Sequence, residues 1–242
     1  MLLPILMLLG SSLSASAQVP PGVQIQQIQA RGNGCPDGSY AATIAPDGQS
    51  FSLLFDQYIA ESTPQMTLDR KTCQMRIDFA VPTGWQYAVI SADYRGFASV
   101  EAGAVATHQA LYSFDGSKPP NERPGFQDGS SYSFKNQNFN GPFQDNYFIR
   151  NQIDPRIAPW SPCAARTQSL FVSTFLTARA VNWRLPAASI ITLDTVDGQV
   201  QSQKYGLVWR KCSGVGPQPQ PPGNTPPPTR PPNNPGRPPR FP

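Results

Sequence analysis

The sequence contains a single histidine, His108, among 242 residues. A metal site built from several histidines is therefore impossible, and no nearby serine or cysteine arrangement points to a catalytic triad. His108 lies inside a strand-like run, where a lone histidine is expected to be a structural residue with satisfied hydrogen bonds. The sequence predicts no catalytic residue, no metal and no cofactor.

Charge is also scarce. Charged residues make up 14% of the chain and the net charge is +4. Three of the cations, Arg230, Arg237 and Arg240, lie in a C-terminal segment that contains no acid. The rest is almost neutral and has no run of five or more Lys or Arg, the usual mark of a nucleic-acid surface. We therefore expect no nucleic-acid partner.

Long apolar runs are missing as well. No stretch is apolar for the eighteen residues that a membrane-spanning helix needs, so no membrane span is expected. Residues 2–9 form a short apolar run, and Ala-Ser-Ala at residues 15–17 fits a signal-peptidase site, although no Lys or Arg precedes the run. We expect residues 1–17 to be a signal peptide, which predicts a protein secreted to the extracellular space, the periplasm or the cell surface.

The four cysteines are Cys35, Cys73, Cys163 and Cys212, and none forms a C-x-x-C pair. This spacing disfavours a zinc ribbon or a thioredoxin-like motif. An even count in a secreted chain predicts two disulfides, for which three pairings exist. Two cysteines lie early in the domain and two lie late, so we predict Cys35–Cys73 and Cys163–Cys212. Each bond would constrain the unfolded chain by roughly 4 kcal/mol.

No capped helix with an apolar stripe is evident, whereas strand patterns recur. The clearest is the alternation of Cys73, Met75, Ile77 and Phe79 with polar residues, which predicts a strand with one buried face. A similar alternation within the leader, residues 18–31, predicts an edge strand. Further strand-like runs occupy residues 39–44, 51–55, 85–94, 97–100, 105–114, 168–177, 189–194 and 199–209.

Short strands separated by Gly, Pro, Asn and Asp turns predict an all-β fold, an antiparallel β-sandwich with two disulfides over residues 32–212. Asp197-Gly198 predicts a two-residue hairpin between the last two strands. Residues 115–141 and 151–162 do not fit this rhythm and are predicted to be long connections. The proline-rich residues 213–242 cannot bury enough apolar surface to fold and are predicted to be a disordered tail.

Short motifs recur in a characteristic order around the cysteines. They are GxGCPxGS from residue 32, DG at 47, RKxCQ from 70, PxGWQYA from 82, DYRGF from 93, GP at 141, WSPC from 160, DxxDG from 194 and WRxC from 209. Together they resemble the secreted family catalogued as domain of unknown function 4360, over about residues 32–212. The resemblance implies secretion and an all-β fold, with no established activity. It does not extend to residues 115–141 or to the tail.

Among the carboxylates, Asp93 is the most interesting, because it lies beside Tyr94 and Arg95 at the end of an apolar strand. An ion pair and a binding group are both natural there, and the ion pair is the commoner case. Asp194 and Asp197 lack the further ligands and the closing Glu of a calcium loop, so they are read as turn residues.

Aromatic residues give the remaining candidates. Trp183 lies between polar residues in a predicted loop and could stack on a sugar ring. Phe126 and Tyr132 belong to the long 115–141 connection, together with Phe134 and Phe139. That connection either forms a binding surface, buries its rings as a small second core, or contains another strand pair. Most other large aromatics are expected to fill the core between two sheets.

These observations favour a secreted, non-enzymatic β-sandwich that acts as an extracellular or cell-surface interaction module. An extracellular glycan and a cell-surface protein are the two candidate partners. Two alternatives stay open. One is an extracellular polysaccharide hydrolase that uses a carboxylate pair, and the other is a structural envelope or matrix protein tethered by its tail.

Overall fold

The computed structural model describes residues 19–114, 130–134, 136–163, 167–181, 187–193 and 202–212. These residues form two packed antiparallel sheets and contain no helix. The thirteen strands among them are β1 Gln24–Arg31, β2 Tyr40–Ile44, β3 Ser50–Phe55, β4 Ile59–Ser62, β5 Leu68–Ala80, β6 Trp85–Val100, β7 Ala104–Ser113, β8 Ser131–Ser133, β9 Gln137–Asn140, β10 Phe143–Gln152, β11 Thr167–Ala180, β12 Ser189–Thr192 and β13 Ser202–Lys211. The predicted all-β sandwich class is confirmed.

Sheet A has the strand order β1-β5-β11-β7-β8, and β9 also pairs with β7. Its clearest sequence signal is in β5, where the side chains of Cys73, Met75, Ile77 and Phe79 are all buried between the sheets. Asp78 departs from the expected pattern, because it is buried although it lies on the opposite side of the strand. Hydrogen bonds of 2.8 Å from Arg76 and 2.6 Å from Ser169 stabilise its carboxylate there.

Sheet B has the order β2-β3-β13-β6-β12-β4, with β10 on the free side of β6. The sixteen-residue strand β6 is long enough to pair with two strands end to end, so β13 pairs with residues 85–95 and β12 with residues 97–100. Both are antiparallel to β6 and therefore run parallel to each other. β12 and β13 therefore do not form a hairpin with each other, because hairpin strands must be antiparallel. Asp197-Gly198, where the sequence predicts that hairpin, lies outside the described residues.

The structure contains both predicted disulfides. Cys35–Cys73 joins the turn before β2 to β5, and both of its residues are buried. Cys163–Cys212 joins the segment after β10 to the end of β13, and both of its residues are half-buried. Each bond therefore links two distant parts of the chain, across 38 and 49 residues respectively.

Part of the predicted 115–141 connection is strand. β8 and β9 both pair with β7, which extends sheet A. Phe134 and Phe139 are buried against the core, and Tyr132 is half-buried with its ring stacked 6.1 Å from that of Tyr112. Residues 131–133 and 137–140 thus form additional strands, each paired with β7, and this part of the chain buries aromatic rings, as two of the three readings expected. Phe126 lies outside the described residues.

His108 is a buried residue of β7, and its ring lies 4.4 Å from that of Tyr94. Burial alone lowers the pKa of its imidazole to about 3, so the ring is neutral. The expectation that its hydrogen bonds are satisfied is wrong for Nε2, which has no partner within the described part of the chain. His108 is therefore a core residue.

Candidate functional site

The most prominent exposed aromatic side chain of the described residues is Phe148, which is 45% exposed in the middle of β10. It lies on the outer surface of sheet B among the charged side chains of Asp93, Arg95, Arg150 and Lys204. These five residues are called the Phe148 face below. Such a ring offers a contact for an apolar surface, and the charged groups around it can orient a polar ligand.

Strand register brings the five residues together. Within the antiparallel pair of β6 and β10, Arg95 lies opposite Phe148 and Asp93 lies opposite Arg150. On the other side of β6, Lys204 of β13 lies opposite Asp93. Successive side chains of a strand point to opposite faces, so residues two apart share the outer surface. The face is therefore built from three neighbouring strands.

β10 is held against the rest of sheet B by its buried side. Tyr147 crosses over Gly96 of β6, and its hydroxyl donates a hydrogen bond of 2.8 Å to the carbonyl oxygen of Thr192 in β12. A Cβ atom at Gly96 would lie 2.1 Å from that same carbonyl oxygen and 2.2 Å from the Tyr147 ring. Glycine is required here because any side chain would push Tyr147 away. The contact fixes the strand that displays Phe148.

Two guanidinium groups stack on the Phe148 ring. The Cζ atom of Arg95 lies 4.5 Å from the ring centroid and that of Arg150 lies 5.0 Å from it. Both distances are within the range of cation–π attraction. The stack orients both arginines while their outer N–H groups stay at the surface. The ring and the two cations thus form one ordered unit.

Asp93 is the anion of the face. Its carboxylate accepts hydrogen bonds from Nε of Arg150 at 3.0 Å and from Nη2 at 2.9 Å, a two-pronged pair. These bonds raise the pKa of the Arg150 guanidinium above its ordinary value. An ion pair at Asp93 was one of the two readings of the sequence, and its partner is Arg150 on β10 rather than the adjacent Arg95.

Arg95 and Lys204 have no such partner. Both are exposed, and neither makes a salt bridge with any residue that the structure describes. Because Asp93 already neutralises Arg150, the Phe148 face has an excess of two positive charges. Arg95 carries its five N–H donors in a planar fork, which suits a carboxylate or another planar acceptor.

The structure places the other candidates from the sequence elsewhere. Tyr94 lies between Asp93 and Arg95 in the chain but points into the core, where it is fully buried. Tyr132 belongs to sheet A and packs on Tyr112. Phe126 and Trp183 lie outside the described residues. Of the sequence candidates, the Phe148 face therefore brings together Asp93 and Arg95.

The remaining tryptophans do not form an exposed strip. Trp209 is buried, its ring packs on Tyr87, and its Nε1 donates to the carbonyl oxygen of Gly48 at 3.0 Å. Trp160 is half-buried under Arg210, whose Cζ lies 3.7 Å from its ring centroid. Trp85 is also half-buried. These rings serve packing more than they serve contact with an external ligand.

A groove of about 390 Å³ lies near the start of β1 and the end of β5. It is lined by Gly22, Gln26, Ala80, Val81, Pro82 and Thr83. None of these side chains is charged or aromatic, so the groove offers few groups that could orient a ligand. It is a weaker candidate than the Phe148 face.

Within the described ranges, no three His, Cys, Asp or Glu side chains are grouped closely enough to hold a metal ion. In the same part of the chain, no helix has the length and apolar character to cross a membrane.

Two solved structures show a weak similarity to this chain. TmCBM61 in complex with β-1,4-galactotriose is 10% identical, with 78% of this chain and 90% of that chain covered and a TM-score of 0.23. The enzymatically active domain of bacteriophage CBA120 tailspike protein 4 is 8% identical, with 78% of this chain and 20% of that chain covered and a TM-score of 0.20. Likenesses this low carry no argument about function.

Sequence comparison is more informative. A protein of Arthroderma benhamiae described as an uncharacterized secreted protein is 32% identical over 201 residues, which cover 82% of this chain and 75% of that protein. The two disulfides agree with an oxidising compartment, and the protein is secreted. The family model of the domain of unknown function DUF4360 matches residues 21–212. The chain therefore belongs to the DUF4360 family.

Proposed function

We propose that this protein is a non-enzymatic extracellular binding module and that the Phe148 face binds a polysaccharide. The observation that carries the proposal is the exposed Phe148 ring on the outer surface of sheet B, which the guanidinium groups of Arg95 and Arg150 both contact. The ring can cover the apolar C–H groups of a sugar, while guanidinium N–H groups donate to its hydroxyl oxygens.

Neighbouring side chains extend this chemistry along β10. Gln144, Asn146 and Gln152 lie on the same side of the strand as Phe148 and are exposed. Each amide both donates and accepts hydrogen bonds, which suits the hydroxyl groups of sugars. Residues two apart on a strand are about 6.8 Å apart, so this row follows an extended polymer better than a compact ligand.

A protein partner fits the same surface less well. Stable protein interfaces bury about 800 Å² on each partner around an apolar core with several aromatic or aliphatic anchors. Among the described residues of the outer surface of sheet B, Phe148 is the one large apolar side chain counted as exposed. A single ring within a polar surface favours a hydroxyl-rich ligand.

The hydrolase alternative needs two carboxylates that face each other across a cleft. Asp93 is held by Arg150, Asp78 by Arg76 and Ser169, and Asp69 by Lys71. Carboxylates committed to neighbouring cations are poorly suited to proton transfer or nucleophilic attack. These contacts favour binding over hydrolysis.

The proposal is tested with the mature protein and a panel of insoluble and soluble extracellular polysaccharides, by pull-down and affinity electrophoresis. Phe148→Ala should abolish retention by the polysaccharide that binds the wild type, because it removes the apolar contact of the face. Leu68→Ala is the matched control, since Leu68 is 59% exposed on sheet A. It should bind like the wild type.

Three results would contradict the proposal. If no polysaccharide retains the wild type, the alternative of a structural envelope or matrix protein is favoured instead. If Phe148→Ala binds as well as Leu68→Ala while both variants keep the circular dichroism of the wild type, the binding surface lies elsewhere. Release of reducing sugar ends during incubation would favour the hydrolase alternative.

A further inference from the structure

The excess charge of the Phe148 face points to the class of polysaccharide. Arg150 is neutralised by Asp93, but Arg95 and Lys204 have no counter-ion among the described residues. A neutral glycan would leave both charges without a partner. An anionic ligand would supply the two missing partners and would be attracted to the surface before contact.

The two cations are placed for a repeating anion. Arg95 lies opposite Ser202 of β13, and Lys204 is two residues further along that strand. The two positions are therefore diagonal neighbours, with Cα atoms about 7–8 Å apart. Both side chains are long and exposed, so together they can reach carboxylates on separate residues of one polymer.

The stack on Phe148 prepares Arg95 for this role. Its guanidinium plane is held at the ring, 4.5 Å from the centroid, which limits the orientations of its N–H fork. Arginine binds a planar carboxylate through two parallel hydrogen bonds, and an ordered fork loses less entropy when it does so. The ring and the fork can then contact the apolar and anionic parts of one uronic acid residue.

We infer that the Phe148 face is selective for an acidic, uronate-containing polysaccharide, with its carboxylates on Arg95 and Lys204 and a sugar ring against Phe148. This inference rests on the proposed function and narrows its ligand class. Asp93 pairs with Arg150, so Arg95 and Lys204 are the two cations of the face that are left for the ligand.

The test uses polygalacturonate and its fully methyl-esterified form, which share a backbone and differ in charge. Affinities are measured by affinity electrophoresis and by calorimetry for the mature wild-type protein. Polygalacturonate should bind at least about tenfold more tightly, as expected for a charge-assisted hydrogen bond, and its advantage should shrink as salt is raised.

Variants assign that selectivity to the face. Arg95→Gln and Lys204→Gln should each reduce binding of polygalacturonate by about tenfold. Lys204→Gln should leave binding of the ester nearly unchanged, whereas Arg95→Gln should weaken it, but less than it weakens binding of polygalacturonate, because Arg95 also donates to sugar hydroxyl groups. Arg31→Gln is the matched control, because it removes one exposed arginine from β1 in sheet A. It should bind both polymers like the wild type. Phe148→Ala should weaken binding of both.

The outcomes separate the two proposals. Equal binding of both polymers that depends on Phe148 but not on Arg95 would overturn the acidic selectivity and leave the polysaccharide proposal standing. Retention of neither polymer, with retention of a neutral glycan from the panel, would do the same. Poly-glutamate that binds as tightly as polygalacturonate, with the same dependence on Arg95, would show that the face recognises an acidic protein and would overturn both.

Discussion

Each sheet carries an arginine stacked on a phenylalanine on its outer side, and the two phenylalanine rings differ in how exposed they are. In sheet A, Cζ of Arg70 lies 4.5 Å from the ring centroid of Phe175, the same distance as for Arg95 and Phe148 in sheet B. Phe175 is only 3% exposed, whereas Phe148 is 45% exposed. The same pair of residue types thus stabilises one sheet and presents a contact surface on the other.

The difference follows from strand position. Phe175 lies on β11, between β5 and β7 in sheet A, with buried neighbours such as Gln109 and Ser173 on the same side. Phe148 lies on β10, which pairs only with β6 among the described strands. A covered ring contributes its transfer free energy to folding, whereas the 45% of the Phe148 surface that is exposed can still contribute to binding a ligand.

The largest expected effect is on stability. Phe175→Ala should lower the free energy of unfolding by about 3–5 kcal/mol, the usual cost of truncating a buried phenylalanine. Phe148→Ala should lower it by less than about 1 kcal/mol, because the ring is already partly in water. Chemical denaturation of the two variants at one pH measures both values. Equal losses would mean that the two stacks do the same work.

The second prediction concerns the strand that displays the exposed stack. Gly96→Ala should cost about 1–3 kcal/mol, because the new methyl group would collide with the Thr192 carbonyl oxygen and the Tyr147 ring. Glycan retention should fall with it, since β10 must shift away from β6. Gly38→Ala is a useful control: Gly38 has nothing within 4 Å of a Cβ atom, and any effect reports its positive φ alone. Unchanged stability of Gly96→Ala would show that Tyr147 does not anchor β10.

The third prediction concerns the pH dependence of stability that the buried His108 of β7 causes. His108, which packs on Tyr94, has a pKa of about 3 in the folded protein and about 6.5 when unfolded. Between about pH 6.5 and pH 3, the His108 imidazole is therefore protonated in the unfolded chain and neutral in the folded protein. Its contribution to stability is complete above pH 6.5 and is lost as the pH falls toward 3, by roughly 1.4 kcal/mol per pH unit.

The His108→Gln variant isolates this effect, because glutamine does not titrate. The difference in unfolding free energy between wild type and variant should be constant above pH 7 and should shift in favour of the variant as the pH falls below 6.5. Parallel pH profiles of unfolding free energy for the two proteins would show that burial does not lower the pKa of His108.

Sequence patterns predict much of the scaffold. The alternation in β5 predicts that one side of the strand is buried, because strand periodicity depends on local geometry alone. The buried side chains are those of Cys73, Met75, Ile77 and Phe79. The cysteine positions predict both disulfides, and the strand-like runs 39–44 and 51–55 correspond to the antiparallel strands β2 and β3. The strand features depend on short stretches of chain, and the disulfides are predictable because four cysteines allow few alternative pairings.

The site is harder to predict, because periodicity tells which side a residue faces and not which strand lies beside it. Asp93 and Arg95 stand out in the sequence, but Phe148, Arg150 and Lys204 do not. Arg95 and Phe148 meet only because β10 pairs with β6 in one register. Turn chemistry can also mislead: the Asp-Gly signal at 197–198 predicts a hairpin, but the length of β6 accommodates both flanking strands instead.

The last variant, Asp93→Asn, should have the smallest effect on stability and an informative effect on binding. Asp93→Asn removes the one anion of the Phe148 face and ends its ion pair with Arg150. Exposed ion pairs contribute little to folding, so the free energy of unfolding should change less than in any variant above. Affinity for polygalacturonate should instead rise, roughly two- to fivefold, because Arg150 no longer has an internal partner. Calorimetry at low salt measures the gain, and Asp154→Asn, which removes a half-buried loop carboxylate paired with Arg156, controls for net charge. A loss of affinity in Asp93→Asn would mean that positioning Arg150 matters more than freeing its charge.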